Sequence, residues 1–186
     1  VIRLTAGKRI HGTGAIPGGV NRALSRAERD GLLADIYPII GWSRQAVQLV
    51  KRLHTSDPAL YDVFGRFPSN ILSLVGADGV LDFYDGRLRA RDADGKIIVD
   101  GVHVKDYHEL IREEVKPWSY MKFPFLTALG PRDGWYKVGP LARVQNCASI
   151  PTPLAQAERR EFIEYGQGKP VHAPLAYHWA RMIEML

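Results

Sequence analysis

The sequence predicts an α+β fold, mainly helical, with an antiparallel β-meander inserted near its middle. Three observations point to it. Apolar residues recur at helical spacing over residues 25–53 and again over 174–186. Residues 70–100 switch to short alternating runs separated by Asp-Gly pairs. Residues 117–147 are dense in Trp, Tyr, Phe, Pro and Gly, which suits an extended, irregular path through a core or against a partner better than a regular helix.

The elements follow in order. Residues 3–24 open with Gly7, Gly12, Gly14, Gly18 and Gly19. They contain neither GxxxxGK[ST] nor a GxGxxG after a strand, so a structural loop with close backbone approach is expected rather than a phosphate cradle. Ser25 and Glu28 have the spacing of a capping box and should start a helix reaching about Leu53. Pro38 lies inside it and predicts a kink or break. Asp57-Pro58 predicts a second, short helix ending near Gly65.

Asp78-Gly79, Asp85-Gly86 and Asp94-Gly95 then predict tight turns between three or four short strands over 71–99, a peripheral meander. These aspartates do not have calcium-loop spacing. A helix is expected at Lys105–Val115, before the aromatic segment. Thr152-Pro153 starts another, to Tyr165 and Gly166. Pro174 opens the last, with Leu175, Trp179, Met182, Ile183 and Leu186 on one face. That apolar face and the aromatic run Trp118–Phe125 are both expected to need cover from outside the sequence.

Length and composition bound the function. The 186 residues, 46% hydrophobic and 24% charged, suit one globular domain. No apolar run approaches the roughly 18 residues that span a bilayer, and no signal peptide is visible. The first residue is Val and the last helical pattern stops without a breaker, so residues 1–186 read as a single partial domain, an internal segment of a larger subunit. The net charge of +5 comes from basic residues interleaved with acids, which speaks for a solvated surface and against nucleic-acid binding.

Motifs for self-contained chemistry are missing. Cys147 is the sole cysteine, which excludes a disulfide framework and a multi-cysteine metal site within the chain. It reads as a small buried residue rather than a nucleophile. The six histidines form no HExxH pattern, and His178 reads as a packed or hydrogen-bonded helix residue. There is no GxSxG elbow and no prominent pair of carboxylates. No catalytic residue and no metal ligand is therefore assigned.

Six stretches, in order, are GKRIHGTGAIPGGV at 7–20, YDGRLRARDADG at 84–95, PWSYMKFP at 117–124, GWYKVGPLARVQNC at 134–147, TPLA at 152–155 and YHWARMIEML at 177–186. Together they resemble the large subunits of nickel–iron hydrogenases, and the KFP form resembles the cytoplasmic, NAD(P)-linked branch. The resemblance implies the middle part of that large-subunit fold. It implies a nickel–iron centre held by two CxxC pairs outside this sequence. It also implies iron–sulfur clusters in a small partner subunit, with flavin in diaphorase-type partners. The implied reaction is reversible hydrogen oxidation with electrons passed to NAD(P). On this likeness Lys8, His11 and Arg143 stand beside the ligands and orient them. Residues 9–20 are also similar to the metal-free quinone-reaction subunit of respiratory complex I, the competing reading, whereas VGPLAR favours the hydrogenase.

Overall fold

A computed structural model describes residues 1–186. The chain divides into two compact units, Val1–Gln45 and Ala46–Leu186. In the first, helix α1 (Ile2–Ala6) ends on Gly7, whose φ of 77° is left-handed. The following loop folds back so closely that a Cβ on Gly12 would lie 2.6 Å from the Ala6 Cβ. The loop therefore has the close backbone approach expected of its glycines. It leads to a small ribbon, β1 (Ala15–Ile16) and β2 (Gly19–Val20).

Helix α2 (Arg26–Leu33) begins at the expected capping box. Ser25 Oγ accepts from the Glu28 N–H at 3.2 Å, and the Glu28 carboxylate accepts from the Ser25 N–H at 2.9 Å. The break falls at Ala34–Asp35 rather than at Pro38. Helix α3 (Ile36–Ser56) restarts two residues before the proline. Pro38 thus sits in a first turn, where its missing N–H would have had no helical acceptor.

In the second unit Asp57 caps α4 (Pro58–Tyr61), its side chain accepting from the Leu60 N–H at 3.1 Å. Strands β3 (Asn70–Val75), β4 (Arg87–Arg91) and β5 (Ile97–Val102) follow. Next come α5 (Tyr107–Leu110), β6 (Ile111–Val115), β7 (Lys122–Leu126), α6 (Gly130–Asp133) and β8 (Tyr136–Lys137). Helices α7 (Pro140–Asn146), α8 (Pro153–Tyr165) and α9 (Ala176–Ile183) complete the unit. The main sheet has the order β5-β4-β3-β8, antiparallel except for the parallel β3–β8 pair.

The meander exists, with three corrections. First, only Asp94-Gly95 turns a hairpin: Gly95 takes φ 91°, and the Asp92 N–H meets the Lys96 carbonyl at 2.9 Å. Asp78 and Gly79 are both left-handed, at φ 55° and 78°, yet they lie in a 3-10 turn after β3. Second, Leu81–Phe83 is not a strand. Asp82 accepts from the Tyr84 and Asp85 N–H groups at 2.6 and 2.9 Å, and this side-chain turn displaces the ladder. Third, the meander is not peripheral, because β3 is buried along most of its length between β4 and β8.

The helix expected at Lys105–Val115 stops after Leu110. Residues Ile111–Val115 instead pair antiparallel with Lys122–Leu126, so the ladder overrides a modest helical preference. The aromatic segment is also more regular than expected. It contains β7, α6, β8 and α7, and α7 starts from Pro140 after Gly139 at φ 81°.

The core lies where α7, α8 and α9 meet, around Leu141, Val144, Phe162, Trp179 and Ile183. Trp179 is 2% exposed and Ile183 0%, so the last helix does not present the open apolar stripe expected of it. Its stripe is covered by α7 and α8 within the chain. A smaller cluster, Leu72, Ala90 and Leu126, lies against the sheet.

Candidate functional site

The strongest sequence motif, residues 134–147, forms β8, the Val138-Gly139 turn and α7. Its polar side chains reach across the second unit to backbone. Lys137, only 9% exposed, donates to the carbonyls of Phe67 at 2.5 Å and His172 at 3.2 Å. Its ammonium also lies 4.0 Å from the centre of the Phe67 ring. Burial, then the Arg66 charge, push it down to about 8.

Gln145 clamps Val171, accepting its N–H at 2.7 Å and donating to its carbonyl at 3.1 Å. Asn146, fully buried, donates to Ser73 Oγ and the Arg89 carbonyl, each at 3.0 Å. Arg159 of α8 donates to the Val144 carbonyl at 2.9 Å and to the Cys147 carbonyl. Buried backbone near α7 is thus satisfied by side chains.

Arg143 is half-buried and grips Glu184 with two bonds of 2.7 and 2.8 Å. Its guanidinium lies 5.1 Å from the Phe83 ring centre. With Leu72, Leu74, Phe83 and Val138 it borders an open cleft of about 250 Å³. Lys8 and His11 belong to the first unit, where both are exposed and His11 takes a left-handed φ of 49°.

Cys147 is 1% exposed, and burial pushes its thiol up. Its Sγ–H donates to the Val144 carbonyl at 3.5 Å. No three His, Cys, Asp or Glu side chains converge to hold a metal ion. With Cys147 as its one thiol the chain offers no cysteine pair, and the resemblance places both ligand pairs outside it. His178 is exposed on α9, not packed as expected.

Sequence reasoning missed several buried polar residues. Glu158, 5% exposed, accepts from the Trp179 Nε1–H at 3.0 Å and pairs with Lys51 at 2.8 Å. His54 donates from Nε2 to Asp62 at 3.1 Å, and Tyr165 donates to the same carboxylate at 2.6 Å. Polar letters at Lys137, Gln145 and Asn146, set within an apolar motif, were a signal for burial. Glu158 carried no such signal, since Lys51 and Trp179 are remote in sequence, and His54 meets Asp62 only because the chain turns between α3 and α4.

Chains similar to this one belong to hydrogenases. The whole chain is 41% identical to the NAD-reducing hydrogenase HoxS subunit beta of Cupriavidus necator, covering 39% of that protein. It is 37% identical to a subunit of the F420-non-reducing hydrogenase vhu of Methanocaldococcus jannaschii, covering 44% of it. The α+β fold matches a chain in the crystal structure of an NAD+-reducing NiFe hydrogenase in the H2-reduced state. There the TM-score is 0.87 and the identity 49%, over 99% of this chain and 41% of that one. No family model matches. The chain spans about two fifths of the length of the curated relatives it matches. These relatives do not favour the quinone-reaction alternative, and no helix is long and apolar enough to cross a membrane.

Proposed function

We propose that residues 1–186 are a scaffold segment, one partial domain, of the large subunit of a cytoplasmic nickel–iron hydrogenase. The observation that carries this is the whole-length likeness to the NAD+-reducing hydrogenase chain, at 49% identity and TM-score 0.87. The polar network around α7 supports it, because the motif's side chains hold backbone together instead of facing a reagent.

In the intact enzyme a nickel–iron centre would supply reversible heterolytic cleavage of hydrogen. Its cysteine ligands come from outside this chain. Electrons pass to iron–sulfur clusters of a small partner subunit, then to flavin in diaphorase-type subunits, which reduce NAD(P). Within this chain Lys8, His11 and Arg143 are assigned to positions beside the ligands. The Glu184 grip on Arg143 would hold that guanidinium in one orientation.

Nickel content and hydrogen-dependent NAD(P)+ reduction test the reading, on the full-length subunit with its partners and on residues 1–186 alone. Stoichiometric nickel and activity are expected in the assembled enzyme and neither in the segment. Nickel bound by the segment with hydrogen-dependent dye reduction, or an assembled enzyme with neither property, overturns it.

A further inference from the structure

A second cleft, of about 240 Å³, lies where the chain leaves α8 and passes the loop after α4. Arg66, Lys169 and His172 line it together with Asp62 and Tyr165. Arg66 and Lys169 are exposed on its rim, whereas His172 is 5% exposed. His172 Nε2 lies 2.8 Å from the Ala93 carbonyl. A carbonyl oxygen only accepts, so the ring proton sits on Nε2. That leaves Nδ1 buried with no partner, a costly state unless something outside the chain completes it.

The charges around this nitrogen are unbalanced. Arg66, Lys169 and Asp62 line the cleft with His172, and the charges acting on the imidazole are those of Lys137 and Arg66 against Asp94. Asp62 is already committed to the Tyr165 hydroxyl and the His54 Nε2–H. Asp94 sits in the β4–β5 turn. Burial, Lys137 and Arg66 lower the His172 pKa, which disfavours the charged imidazolium, and a negative charge in the cleft would favour it.

We propose that this cleft is an oxyanion site, in which Arg66 and Lys169 hold a carboxylate- or phosphate-type group and the His172 imidazole in its lining takes up a proton in response to that charge. The oxyanion is either a free small molecule or a carboxylate of the assembled enzyme itself. The inference goes beyond the proposed function and does not depend on hydrogen chemistry.

Inorganic sulfate is a suitable probe, since its charge stays fixed across the range in which histidine titrates. It is titrated calorimetrically into the full-length subunit in complex with its partners, in low-salt, sulfate-free buffer. Saturable binding is expected, tighter at about pH 5.5 than at about pH 7, a window in which histidine titrates while Lys137, pushed down to about 8, stays largely charged. Arg66→Gln with Lys169→Gln should weaken it about ten-fold, the loss expected when charge-assisted contacts are removed. His172→Gln should abolish the pH dependence.

If the group is the enzyme's own carboxylate, sulfate does not bind. The double variant then melts lower than wild type, and added salt shrinks the difference by screening. Sulfate binding that the double variant does not weaken overturns the proposal. So does an absence of binding combined with a double variant that melts like wild type, or with a loss that salt leaves unchanged.

Discussion

Lys137 shows how much one buried side chain reports about this chain. Its ammonium is pushed down to about 8, whereas an unfolded lysine titrates near about 10.4. Between those values the unfolded state holds more protons than the folded one, so stability rises with pH across that window. Below it the charged form carries a constant penalty. Melting the subunit from about pH 7 to about pH 10 should show wild type gaining on Lys137→Met, and parallel profiles for the two would refute this. Gly86 makes a second residue-scale point. The Asp-Gly pair marks it as a turn that only a left-handed residue could make, yet Gly86 is not left-handed. Its constraint is space: a Cβ there would lie 3.0 Å from the Leu74 Cβ and from Val75 N and O. Gly86→Val should cost about 1–3 kcal/mol by overpacking, read as a lowered denaturant midpoint. An unchanged midpoint would mean that β3 gives way. The position was legible in the sequence, but its reason was not, because the clash comes from a strand twelve residues earlier.

At the scale of elements, local chemistry is legible in the sequence and long-range pairing is not. The Ser25–Glu28 box and the Asp57 cap are set by residues three apart, and both form as expected. The stretch Ile111–Val115 reads as helix because its strand partner lies beyond an intervening loop. Helix α7 is hidden because Pro140 reads as a breaker when it occupies a first helical position. The β6–β7 ribbon has only two strands, and such ribbons are marginal by themselves. Its tip leaves Trp118 74% and Tyr120 99% exposed. A short aromatic row, Trp118 to Phe123 at 5.4 Å and Phe123 to Trp135 at 6.2 Å, braces the tip, while Leu126 at the base packs with Leu72 and Ala90. Amides of Ile111–Val115 should therefore exchange with solvent faster than those of Asn70–Val75 in residues 1–186 alone. Equal protection would show that the ribbon is as firmly held as the buried strand.

For the whole molecule, the likeness to hydrogenases was legible through six short motifs in order, while no single residue revealed a reaction. Part of the reason is physical: Lys137, Gln145 and Asn146 are spent largely on buried backbone, and one thiol cannot build a thiolate-bridged metal site. The expectation of uncovered apolar surface survives in altered form. The last helix is buried, but Tyr37, Trp42, Phe64 and Trp118 are all more than 60% exposed. Residues 1–186 alone should bind a hydrophobic dye and self-associate, by light scattering, more than the full-length subunit with its partners. A monomeric segment that leaves the dye dark would contradict this. The parallel β3–β8 pair also sets a timetable. Asn70 waits for Tyr136 in the ladder, and its side chain donates to the carbonyls of Asp133 and Trp135 at 2.8 and 2.9 Å. As the chain leaves the ribosome, β3, β4 and β5 emerge first and one edge of β3 stays open until residues 133–137 arrive. The nascent chain is therefore most exposed to wrong pairing in that interval, when its most buried strand has its neighbour on one side only.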